Sequence, residues 1–221
     1  MSRRAWVLNL DAEDELFRSG YRGPFEVARE RRELFARIEG LVPPGDVLLT
    51  TEGDDARGME GRAWSPTPTA VEALRRAGAT VPSAPDVAVL RRASSRAFSW
   101  AIGPTLPGAV LTSDVREAVD RLASPCPSGR WMLRRSWGYA GRGRLVVDSG
   151  AATIQARGFV DRAAADGGVL IEPWVERLAD FSLHGWLGTE GGLVKGEVCS
   201  AEVTDGGSWV RSARAGVAIA P

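Results

Sequence analysis

Lysine is nearly absent from this sequence. The chain has 221 residues and 28 basic side chains, and Lys195 is the single lysine among them. Arginine therefore stands where other proteins use lysine, a planar fork in place of a point charge. Histidine occurs once, as His184, so no Ser–His–Asp arrangement can be argued. His184 lies in the run FSLHGWL, alternating with Phe181, Leu183 and Trp186, and reads as a structural or surface side chain. The two cysteines, Cys126 and Cys199, lie far apart without metal-type spacing and read as thiols in a reducing compartment. Long apolar runs are missing, and the opening MSRRAWVLNLDAEDEL reaches acids too early for a signal peptide. Charge of one sign is missing too: 28 acidic residues balance the 28 basic ones. Nothing global then points to nucleic acid or an anionic membrane, and any basic site must be local. A soluble cytoplasmic protein with neither nucleic acid nor membrane as partner is expected.

The length suits one large domain or two small ones around a real core. Trp6-Val7-Leu8-Asn9-Leu10 reads as a first buried strand. A polar stretch follows, and its acids at 11–15 read as a solvated loop. Residues 25–39 read as a helix with Val27, Leu34, Phe35 and Ile38 as its stripe. Residues 46–50 read as a second strand, which makes a small α/β domain with a parallel sheet. Residues 52–62, rich in Gly and acids, read as a loop. Residues 63–79 read as a helix capped by Thr67, with Pro68 in its first turn and Gly78 at its end. Ser83 and Asp86 resemble a capping box for a helix over 84–100. Then come a strand at 109–111, a helix from 112–114 to about 123, and a turn at 124–130. Strands at 131–135 and 144–148, a helix at 151–165, a strong apolar strand at 169–175 and a pair at 181–187 and 192–199 complete the pattern.

The stretch RRSWGYAGRGR, residues 134–144, stands between the strands 131–135 and 144–148. Gly138, Gly141 and Gly143 let backbone N–H groups turn inward as an anion-binding nest and let a ligand approach closely. Arg134, Arg135, Arg142 and Arg144 supply the charge-assisted donors that phosphate oxygens accept. The loop leads into a strand, so it is not the dinucleotide fingerprint with its helix N-terminus. Glycine hairpins flanked by arginine also occur on surfaces that bind nothing. Trp137 sits inside the loop, placed to cover a ligand. Further on, VLIEPWVERLADFS ends an apolar strand in Glu172, followed by Trp174, Val175 and Asp180. Such an edge can present a carboxylate to the polar rim of a purine and another to sugar hydroxyls.

Four stretches in order resemble the ATP-grasp superfamily. LRRASSRAFS resembles the helix with the first phosphate-contacting cation, placing Arg96 there. WMLRRSWGYAGRG resembles the strand with the second, Arg134, and the glycine loop Gly138, Gly141, Arg142 and Gly143 that closes over the triphosphate. VLIEPWV resembles the adenine-holding strand and hinge, with Glu172 on the amino group and Trp174 and Val175 offering backbone contacts; Asp180 aligns with the ribose-binding acid. The resemblance spans roughly residues 60–200 and implies ATP and Mg2+ as cofactors.

By this resemblance the reaction activates a small-molecule carboxylate as an acyl phosphate and joins it to an amine. Residues 1–82 would be an N-terminal α/β domain that helps bind the acceptor. Residues 83–221 would be an ATP-grasp domain with antiparallel sheets. The family's late acidic metal ligands have no match, since no Asp or Glu follows Asp205. The expectation is the N-terminal portion of a longer protein, with catalytic and metal residues unassigned. A nucleotide-binding module without turnover, a structural α/β interaction domain, and a homodimer are left open.

Overall fold

The computed structural model describes residues 3–17, 21, 23–30, 42–81, 83–138, 143–150, 152–188, 190–204 and 209–214. The chain divides into two compact units, Met1–Gly103 and Pro104–Pro221. The boundary expected at 82–83 falls inside the first of them.

In the first unit, β1 (Arg4–Val7) lies between β2 (Val47–Leu48) and β3 (Glu60–Ala63), parallel to both. Ala5 and Val7 alternate inward along β1 and join Leu49, Ala70, Ala73 and Leu74 in one core. The strand read at 6–10 is thus shifted toward the N-terminus. Asp46 binds β2 to β1, accepting from the backbone N–H of Arg4 at 3.0 Å and the indole Nε1 of Trp6 at 2.8 Å. β3 occupies part of the expected acidic loop. EGRA has little strand propensity, but a Cβ on Gly61 would stand 3.3 Å from Leu74 and Ala79, so glycine there lets the strand lie close against the core.

The stretch read as polar after β1 forms α1 (Ala12–Phe17), with Ala12 and Leu16 buried. Its acids are not a solvated loop. Asp11 is buried and accepts from the Tyr21 hydroxyl at 3.1 Å, and Glu15 accepts the Thr69 backbone N–H at 2.8 Å. α2 (Pro24–Glu30) opens the helix expected at 25–39; residues 31–41 lie outside the described residues. α3 (Pro68–Arg76) begins on Pro68 and buries Ala70, Val71, Ala73 and Leu74. Thr67 stands at its N-cap but makes no side-chain cap bond. Its hydroxyl instead accepts from Asn9 Nδ2 at 2.9 Å, and Glu15 of α1 does the capping from outside. The helix expected at 84–100 is two: α4 (Val87–Ala93) and α5 (Arg96–Ile102). Asp86, not Ser83, caps α4, and Ser95 caps α5 by accepting from Phe98 N–H, so the second cap ends the first helix.

The second unit holds a four-stranded antiparallel sheet in the order β4 (Val110–Thr112), β7 (Val169–Pro173), β5 (Arg130–Arg135), β6 (Arg144–Asp148). α6 (Val115–Ala123), capped by Asp114, and α7 (Ile154–Ala165), capped by Thr153, supply Ala118, Leu122, Ala156, Phe159 and Val160 to the core. These pack with Trp131, Leu133, Val147, Val169 and Ile171 from the strands. A second antiparallel sheet pairs β8 (Asp180–Leu187) with β9 (Leu193–Val203), and β9 with β10 (Trp209–Arg214), a strand the sequence did not announce. The fold class is mixed α/β, as read. Among the described residues no helix is long and apolar enough to cross a membrane.

Candidate functional site

β5 is flanked on both sides, and its side chains alternate. Trp131 and Leu133 point into the helix-covered core. Met132 and Arg134 therefore face the other way. The ladder sets Met132 beside Glu172 of β7 and Val146 of β6, and Arg134 beside Leu170 of β7 and Arg144 of β6. One face of the sheet thus carries Met132 and Leu170, each 7% exposed, bordered by a carboxylate and two guanidinium groups. The pairs Arg134–Leu170 and Met132–Glu172 make Arg134 and Glu172 diagonal neighbours. Arg134 Nε lies 3.3 Å from Glu172 Oε2, with the Glu172 side chain 18% exposed and that of Arg134 41%. Two residues assigned by resemblance to opposite ends of a nucleotide are brought into contact. The patch sets an acceptor suited to an amino group and a cation suited to phosphate around two buried apolar side chains.

The glycine loop joins β5 to β6 as a hairpin. Gly143 has φ +68°, and its carbonyl accepts from Arg135 N–H at 2.9 Å, which closes the stem. Gly138 lies at the exit of β5; Gly141 and Arg142 lie outside the described residues. The stem leans on the turn after α7. Ser136 N–H donates to the Gly168 carbonyl at 3.1 Å, and Arg135 Nη1 lies 3.9 Å from Asp166 Oδ2. A Cβ on Gly167 would meet the Trp137 indole nitrogen at 3.5 Å, so Trp137 is seated against that turn.

β7 ends at Pro173, two residues earlier than read, so Trp174 and Val175 belong to the segment beyond it. The Trp174 N–H already donates to the Arg130 carbonyl at 2.9 Å, and the Arg130 guanidinium lies 5.2 Å over the Trp174 ring. Val175 is exposed. Asp180 opens β8 with its Oδ2 3.4 Å from Arg177 Nη1. Arg96 is the first residue of α5, in the first unit, while the other candidates belong to the second. Lys195 is exposed on β9, and the His184 side chain lies outside the described residues. Arg144 was visible only as one of the loop's flanking arginines; the antiparallel register puts it beside Arg134. Among the described residues no three His, Cys, Asp or Glu side chains converge on a metal position.

No protein-family model matches the sequence, and no curated protein matches it. Solved structures do. An N5-carboxyaminoimidazole synthetase from Staphylococcus aureus, complexed with ADP, aligns over 97% of this chain and 59% of its own at 8% identity, with a TM-score of 0.51. A second structure of that synthetase aligns over 95% of this chain and 57% of its own at 7% identity, again with a TM-score of 0.51. A D-alanyl-alanine synthetase A from Vibrio cholerae aligns over 93% of this chain at 12% identity, covering 68% of its own length, with a TM-score of 0.45. The chain spans less than two thirds of the length of the carboxyaminoimidazole synthetase. At such identities the likeness is one of architecture, and the chain has the ATP-grasp fold.

Proposed function

We propose that this chain is the nucleotide-binding part of an ATP-dependent ligase that joins a small-molecule carboxylate to an amine. The observation that carries the reading is the shared face of β5 and β7, where Glu172 and Arg134 flank Met132 and Leu170 beside the glycine loop. The fold's likeness to an ADP-complexed synthetase supports it. In such a reaction the carboxylate takes the γ-phosphoryl group of ATP and releases ADP. The amine nitrogen then attacks the acyl phosphate, an amide bond forms, and phosphate and a proton leave. The demands on the protein are positioning and neutralisation of phosphate charge.

In this assignment Leu170 and Met132 lie against the adenine ring and Glu172 accepts from its amino group. Val175 and Trp174 supply backbone groups at the ring edge, the Trp174 carbonyl standing in for its occupied N–H. Asp180 receives the ribose hydroxyls, exchanging Arg177 for them. Arg134 leaves Glu172 for a phosphate, joined by Arg96 and by the loop of Gly138, Gly141, Arg142 and Gly143. Mg2+ enters the proposal only with the nucleotide phosphates, since no described cluster fits it.

Calorimetric titration of the 221-residue chain with ATP tests the assignment. Saturable binding is expected, weakened by about 1.5–3 kcal/mol in Arg134→Ala, the range for a hydrogen bond to a charged group. Equal ATP affinity in the variant removes Arg134 from the site. A second reading, binding without turnover, draws on arginine at both lysine positions; ADP release with a carboxylate and an amine present excludes it.

A further inference from the structure

The first unit contains a cleft of about 370 Å³ that none of the nucleotide assignments uses. Its volume is at the small end of the range for ligand clefts. It is lined where α2 begins, along α3 from Pro68 to its last residue Arg76, and by Glu52 in the segment after β2.

The lining has a definite chemical character. Pro24, Phe25, Pro68 and Ala73 make it apolar. Glu26, Glu52 and Glu72 add three carboxylates against one cation, Arg76. Arg76 is already spent on Glu72, Nε to Oε1 at 3.1 Å on successive helix turns. Neither Glu26 nor Glu52 has an ion-pair partner among the described residues. An anion has no seat here either. The N-terminus of α3 is taken by Glu15, which accepts both the Thr69 backbone N–H and its hydroxyl.

We propose that this cleft binds a small organic cation, an ammonium group carried on an apolar body, with Glu26 and Glu52 receiving the charge. Its identification with the amine partner of the ligation rests on the reading above; the binding itself does not.

The test is titration of the full chain, followed by nuclear magnetic resonance, with benzylamine and its neutral counterpart benzyl alcohol. Saturable shifts at Phe25 and Thr69 are expected for benzylamine, with the alcohol roughly tenfold or more weaker, as for a hydrogen bond to a charged group. Glu26→Gln combined with Glu52→Gln should cost benzylamine a similar factor and leave ATP affinity unchanged. Both are exposed side chains whose neutral isosteres keep the fold. Amine and alcohol binding alike, no saturation, or an unaffected double variant overturns the proposal. Loss of ATP binding alone would sink the nucleotide assignment and leave the amine site standing.

Discussion

Asn9 is buried and uses both ends of its amide. Its Nδ2 donates to the Ser65 carbonyl at 2.8 Å and to Thr67 Oγ1 at 2.9 Å, and its Oδ1 accepts from Ser65 N–H at 3.0 Å. One side chain thereby fixes the turn that launches α3. Asn9→Ala leaves those groups unsatisfied and should cost about 1–3 kcal/mol, read as a lower urea midpoint. Asp46 acts similarly between β1 and β2. The Trp6 indole N–H, then the Arg4 backbone N–H and the charges of Arg4 and Arg3, hold its carboxyl below the ordinary 3.8. A carboxyl lowered by folding adds stability above its ordinary value, and the gain is lost as pH falls through the folded one. Wild type should therefore lose more stability than Asp46→Asn between pH 7 and pH 3; equal losses would remove Asp46 as the cause. At this scale the sequence hid a good deal. Nothing local to Asp11 or Glu15 marks them as partners of Tyr21 and Thr69, residues supplied by other segments.

Elements with strong local signals were legible. β6 and the end of α7 stand where the sequence reading put them, and Leu145, Val147, Phe159 and Val160 serve one core. β3 was not, because Glu60–Ala63 owes its strand to pairing with β1 rather than to propensity. The single long helix at 84–100 failed for the opposite reason: Ser95 offers a cap in mid-run, and the capping bond wins over helix continuation. In the candidate site, the types of residue were readable, but the contact between Arg134 and Glu172 required the β5–β7 register. That register also separates stability from binding. Leu133 is fully buried on the helix side of β5. Leu133→Ala should lower unfolding free energy by about 2–5 kcal/mol. ATP affinity of the folded variant should match wild type, since the nucleotide is assigned to the opposite face. A large affinity loss in a folded sample would place that face wrongly.

For the whole molecule, the sequence reading was of two parts, 1–82 and 83–221. The compact units instead divide at Gly103–Pro104, and α4 is held to the first unit by the Arg91 guanidinium, whose Nε donates to the Leu16 carbonyl at 2.6 Å. That long-range bond has no local signature. The adenine and phosphate assignment is carried by the β5–β7 face of the second unit. A crystal structure of the chain with a non-hydrolysable ATP analogue tests this most directly. The adenine is expected against Met132 and Leu170 with its amino group on Glu172, and Arg134 moved from Glu172 to a phosphate. An analogue bound elsewhere, or an Arg134–Glu172 pair left intact beside the bound analogue, would contradict it.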